Sequence, residues 1–226
     1  GIVAGMKLQE MIDNGEITAD QAVIGYVGAY PYSEELSGYT AFFLVPRSVR
    51  HSATMKVQYV TSWSNATEAA NAANTLADEG CKLISQHSDN TTPATAAQTK
   101  GVFHCGYNND MTGVAPEASL VSCRIDWAPY YEYVINAVKN GETIDADWTG
   151  TLATGSVVLT DINEQAAAAG TAEKLAAVKA DIEAGKLHVF DTTTFTVSGD
   201  NVKDTMKVDA EGHVTSYLAD VDTDPD

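Results

Sequence analysis

Positive charge is scarce in this 226-residue chain: 13 Lys and Arg stand against 31 Asp and Glu, for a formal net charge of -18 at pH 7. A molecule this acidic repels phosphate backbones and anionic membrane surfaces, which argues against nucleic acid as a partner. Cysteine is also sparse. Cys81, Cys105 and Cys123 form an odd set without CxxC spacing, so neither a disulfide framework nor a zinc site is signalled, and each reads as a buried thiol beside a strand. No apolar run reaches the roughly 18 residues of a membrane span, and no charged segment followed by an apolar one opens the chain. There is no repeat of about 20 to 50 residues.

The motifs of common catalytic chemistries are missing as well. No G-x-S-x-G elbow, Walker A loop, G-x-G-x-x-G or H-E-x-x-H occurs. His51, His87, His104, His188 and His213 share no metal-ligand spacing. The stretch "SQHSD" (85–89) collects a serine, a histidine and an aspartate, but neighbours on one strand point to alternate faces and cannot form a nucleophile-base-orienter relay. No catalytic residue, metal or cofactor is therefore expected.

What is present is a hydrophobic content of 44%, enough for a sizeable core in a chain of this length. The chain opens in mid-pattern: "GIVAGMKLQEMI" suits one side of a helix with no N-cap before it, as if these residues began inside a longer protein. β-rich runs then alternate with helical ones. Strands are expected at 22–30, 53–63, 82–88, 102–108, 118–125 and 155–162, and helices at 34–48, 65–80, 93–101, 129–141 and 171–185. A strand or ribbon is expected at 187–197, and a hairpin at 208–217 with Glu211-Gly212 at its turn. Residues 218–226, rich in Asp, read as a frayed end or another truncation. Such alternation predicts βαβ units, hence an α/β fold with a three-layer parallel sheet of the Rossmann-like kind.

In a parallel sheet every carboxyl end lies along one edge, where open α/β folds bind their ligands. Here those ends read "GAYPYS", "TSWSN", "SQHSDN" and "GYNND", so Tyr30, Trp63, His87, Asp89, Asn108 and Asp110 should share a crevice. Aromatic faces among hydrogen-bonding groups suit a flat, polar ring. Each residue also has a plainer reading. Trp63 could pack a strand end, His87 could bond backbone, Asp89, Asn90 or Thr92 could cap the next helix, and Asp110 could close an Asx turn.

"GIVAG", "IGYVGAYP", "VTSW", "QHSD", "GYNNDM", "APEASLVSC" followed by "DWAPYY", and "GKLHVF" resemble, in order and spacing, the basic membrane protein (BMP) family of ABC-transporter substrate-binding lipoproteins, over residues 1 to about 217. The resemblance implies a type I periplasmic-binding-protein fold whose two lobes close on a purine nucleoside or base and deliver it to a permease. By position it implies stacking by Trp63, sugar or ring-edge contacts by Asp110, and pocket-lining roles for His87, Ser88 and Asp89, with Asn108 and Trp127 completing the set. It further implies a connecting helix at 1–20, a main lobe from 21–110 and 150–200, a second-lobe segment at 111–149, and a C-terminal hairpin and tail at 201–226. Location follows as the outer face of the plasma membrane, through a lipid anchor outside this chain, or the periplasm. A homodimer through an exposed sheet edge is a further expectation, and the alternatives to transport are an enzyme of nucleoside metabolism and a ligand sensor of the same fold.

Overall fold

The computed structural model describes residues 1–49, 52–195 and 207–216. A helix at Ile2–Asp13 (α1) and a 3-10 turn at Ala19–Gln21 lead into the strand Val23–Gly28 (β1). Then come α2 (Ser33–Val49), β2 (Thr54–Tyr59), α3 (Ala66–Asp78), β3 (Leu83–Gln86), α4 (Thr92–Lys100), β4 (Phe103–Tyr107), β5 (Ser119–Ile125), α5 (Ala128–Asn140), β6 (Val157–Leu159), α6 (Thr171–Glu183), β7 (Lys207–Val208) and β8 (Val214–Ser216). The alternation read from the sequence is thus realised to within a few residues at most boundaries. No helix among the described residues is long and apolar enough to cross a membrane.

The main sheet has the order β2-β1-β3-β4-β5-β6. Its first five strands are mutually parallel, while β6 runs antiparallel to β5. The exception has a local cause. After α5 the chain returns to the carboxyl edge, where Ser156 O accepts from Asp126 N at 2.7 Å, so β6 enters from the end at which β5 leaves.

Helices cover both faces because β3 and its neighbours bury both sides. Adjacent Leu83 and Ile84, each fully buried, point to opposite layers: Leu83 joins Val3, Leu8 and Ile24 under α1 and α2, and Ile84 joins Ala73, Leu76 and Ala97 under α3 and α4. Continuous apolar runs rather than alternating ones are the signature of strands in this position.

Two expectations change. Cys81 and Cys105 are buried thiols, but Cys123 is exposed near the end of β5. The strand at 119–125 pairs with β4 in the six-stranded sheet. Residues 187–195 form turns with one isolated bridge, Asp191 to His213, because Asp191 Oδ1 accepts from Thr193 N and Oγ1 and bends the chain; residues 196 and 197 lie outside the described set. The hairpin turns at Glu211-Gly212 as read, its last residue, Tyr217, lying with the acidic tail outside the described residues.

His104 on β4 shows what the packing imposes on a titratable group. It is fully buried, and burial pushes its imidazole down to about 3. Its folded pKa lies below the unfolded value near 6.5, so its contribution to stability is present above about 6.5 and is lost as pH falls toward 3. Between pH 6.5 and 4, urea unfolding of the wild type should lose up to about 1.4 kcal/mol more per pH unit than His104→Asn. Parallel pH profiles for the two proteins would contradict this.

Candidate functional site

The strand order reverses between β1 and β3: the chain leaves β1 toward β2 on one side, then crosses over to continue with β3, β4 and β5 on the other. At such a switch point the two following loops diverge and leave a crevice outside the carboxyl ends. Aromatic rings fill this edge. Tyr30 stacks on Tyr32 at 4.9 Å between ring centres, Trp63 meets Tyr30 at 5.7 Å, Trp63 and His87 meet in a T-shaped pair at 6.4 Å, and Tyr107 lies 4.2 Å from His87. Tyr30, Trp63 and Tyr107 are half-buried, with ring area held to the protein and ring area left to solvent.

Beneath the rings is a set of buried polar supports. The Glu35 carboxylate, fully buried at the start of α2, accepts from Ala29 N at 2.8 and 3.0 Å and from Tyr30 N at 2.9 Å. It thereby satisfies the amides that β1 leaves unpaired where it ends. Burial raises its pKa, and the Tyr30 and Ala29 amides together with His87 offset part of that rise. Room for it is made by Gly28, where an added Cβ would sit 2.8 Å from Glu35 Oε2 and 2.8 Å from the Tyr59 ring.

His87 is wedged by similar means. Its Nε2 lies 2.7 Å from Glu34 Oε1 and its Nδ1 lies 3.1 Å from the Tyr26 hydroxyl. A carboxylate can only accept, so Nε2 carries the proton and donates, and in the neutral ring Nδ1 accepts from Tyr26. Burial holds the Tyr26 phenol well above its ordinary pKa, which keeps that donor in place. The ring fits against α2 because Gly38 has no side chain; a Cβ there would lie 2.9 Å from His87 Cε1.

Gln86 fixes the loop that follows β3. Its Nε2 donates to Ser88 O at 2.7 Å and to Asn90 O at 2.7 Å, which leaves Oε1 to accept from His104 Nε2 at 3.0 Å. His104 is therefore the Nε2-H tautomer, and its Nδ1 has no partner among the described residues. Ser88, expected to line a pocket, is fully buried, and its Oγ receives a further bond from Gln86 at 3.3 Å. It braces the loop from below.

The remaining expected residues divide into two groups. Asp89 is exposed; its amide donates to Trp63 O at 2.6 Å, and its Oδ1 accepts from Asn108 Nδ2 at 3.0 Å, joining the ends of β2, β3 and β4. Asn90, not Asp89, serves the next helix, its Oδ1 accepting from Thr92 N at 3.1 Å. Asn108 sits in the left-handed region with φ +61, a conformation Asn tolerates. Asp110, exposed in the following loop, uses Oδ1 to accept from Thr112 N and Oγ1 in an Asx turn. Trp127, by contrast, belongs with Tyr130 and Tyr131 beyond β5, in a separate aromatic group.

Glu34, Glu35, Tyr26 and Tyr107 were not singled out from the sequence. The available signal was the pair of acids in "PYSEEL", placed in the first turn of a helix immediately after a strand end. Among the described residues no group of three or more His, Cys, Asp or Glu side chains is arranged to hold a metal ion.

The fold is that of the type I periplasmic-binding-protein kind. A solute-binding protein of Aeropyrum pernix superposes with a TM-score of 0.65 over 89% of this chain and 64% of its own, at 11% identity. One of Conexibacter woesei gives 0.62 over 82% and 62%, at 16% identity. A transcriptional activator of Bacillus halodurans gives 0.62 over 80% and 62%, at 18% identity. The chain belongs to the Bmp family, described as ABC transporter substrate-binding protein PnrA-like, whose model matches residues 17–186. It is 36% identical over 135 residues to a putative ABC transporter glucose-binding protein of Haloferax volcanii, covering 59% of this chain and 34% of that protein. It is 34% identical over 121 residues to a purine-binding protein of Brucella abortus, covering 54% and 35%. The matched stretch is thus about a third of the length of either curated relative.

The buried carboxylate generates a stability prediction. Glu35→Ala strands the Ala29 and Tyr30 amides and should lower the free energy of unfolding by about 2 to 3 kcal/mol, whereas Glu35→Gln, which keeps an accepting oxygen, should cost less than about 1 kcal/mol. Equal losses in urea titrations would show that the two amides do not depend on this oxygen.

Proposed function

We propose that this chain carries the purine-recognising edge of an ABC-transporter substrate-binding protein, which captures a purine nucleoside or base and hands it to a membrane permease. The observation that carries the reading is the row of rings from Tyr32 through Tyr30, Trp63 and His87 to Tyr107 at the switch point, bordered by Asp89, Asn108 and Asp110. Offset rings offer stacking surface to a flat heterocycle, and the amide and carboxylates beside them suit its edge or the ribose hydroxyls. The purine-binding relative supports the same reading.

In the mechanism that follows, Trp63 stacks on the base. Asp89 and Asp110 accept from sugar hydroxyls or ring N–H groups, while Glu35, Gln86 and His104 keep the strand-end loops from shifting. Two lobes then close over the ligand by a hinge motion, water leaves the crevice, and the closed form docks on the permease. Members of this class work outside the cytoplasmic membrane, anchored by lipid or free in the periplasm. No bond of the ligand is broken, so inosine should be recovered intact after prolonged incubation with the protein.

A second reading has one observation in its favour: the Haloferax relative is named as glucose-binding, and a pyranose also stacks on indole while carboxylates take its hydroxyls. Calorimetric titration separates the two. Inosine, guanosine or adenine should bind and glucose should not, and Trp63→Ala should weaken purine affinity at least about tenfold, or about 1.4 kcal/mol. Asp110→Ala should cost nucleosides more than free bases. Binding of glucose alone would replace purine with sugar, and an unchanged affinity in Trp63→Ala would remove the stacking role.

A further inference from the structure

A second cavity lies beyond β5, outside the row of rings just described, between the start of α5, the 145–150 loop and the start of β6. Its volume of about 400 Å3 is within the range of small-molecule sites. Aromatic rings wall it at differing angles: Tyr130 lies 5.3 Å from Trp148 at 54° and 6.3 Å from Trp127 at 75°. Three carboxylates, Asp126, Asp145 and Asp147, line the same space. Arg124, 3.6 Å from Asp126, partly offsets the first, but among the described residues Asp145 and Asp147 form no ion pair.

The walls are held in place by the fold. The Tyr133 hydroxyl accepts from Asp145 N at 2.7 Å, and the Tyr133 ring stacks under Trp148 at 6.3 Å and 21°. Reciprocal bonds between Thr151 and Thr154 close the turn that returns the chain to Ser156. Ser156 also lines the cavity, is only 3% exposed, and its buried Oγ has no hydrogen-bond partner among the described residues.

We propose that this cavity binds a small organic cation carrying an ammonium group, with the cation against the faces of Trp127, Tyr130 and Trp148 and within the field of Asp126, Asp145 and Asp147. Ring faces and carboxylates present the same sign of potential, so a positive ligand is the one that gains from both. The net charge of -18 draws cations toward the whole molecule and adds to the encounter rate. A neutral polyol would leave Asp145 and Asp147 without a counter-charge.

The test is calorimetry on the 226-residue chain in a sodium phosphate buffer, with choline chloride as the probe and 3,3-dimethylbutan-1-ol, its uncharged isostere, as the comparison. Choline should bind at least about tenfold more tightly than the isostere, and the double variant Asp145→Asn with Asp147→Asn should lose at least about tenfold in choline affinity. Trp63→Ala should leave choline binding unchanged, which separates this site from the purine edge whatever becomes of that reading. No heat from choline, equal affinity for the isostere, or a loss of choline binding in Trp63→Ala would each overturn the proposal.

Discussion

Everything at the candidate site depends on β1 and β3 running in the same direction, side by side, with β2 sent to the far side of β1. Parallel pairing puts the carboxyl ends of β2, β1, β3 and β4 at one edge, and the reversal of order opens that edge between the loops. Tyr30, Trp63, His87 and Tyr107 are spread over almost eighty residues of chain, yet they become neighbours through backbone direction alone. The side chains then determine what the edge can recognise.

Holding an edge of this kind is expensive, because each strand ends in amides and carbonyls that the ladder no longer satisfies. Glu35 caps β1, Gln86 ties Ser88 and Asn90 after β3, and Asp89 links Trp63 to Asn108 across the loop ends. Two of the anchors, Glu35 and His104, are buried titratable groups whose pKa values burial moves toward the neutral form. Gly28 and Gly38 contribute by having no side chain: one admits the carboxylate, the other lets His87 seat against α2. Binding residues and supporting residues are thus different sets, and the support lies mostly below the surface.

The strands and helices were legible because continuous apolar runs alternating with amphipathic ones identify buried parallel strands and the helices that cover them. The shared edge was legible for the same reason, since direction follows from the βαβ pattern. The antiparallel course of β6 was not, because it depends on the path by which residues 141–156 return to the carboxyl edge, where Asp126 N meets Ser156 O at the start of the β5–β6 ladder. Ser88 shows the limit of a motif: "QHSD" marks a strand end, but the side chain of its serine is turned under the loop by Gln86. Trp127 shows another. It sits at the end of β5 as expected, and its ring packs with the aromatic residues of α5 instead of with the row at the switch point. Spacing along the chain cannot tell those two outcomes apart; lateral position across a sheet can.

The most direct measurement exploits the small number of tryptophans, Trp63, Trp127 and Trp148, each of which contributes one indole N–H signal to an NMR spectrum. Titration with inosine should move the Trp63 indole signal while leaving those of Trp127 and Trp148 in place. Movement confined to Trp127 and Trp148 would contradict the account and shift recognition away from the crevice between β1 and β3.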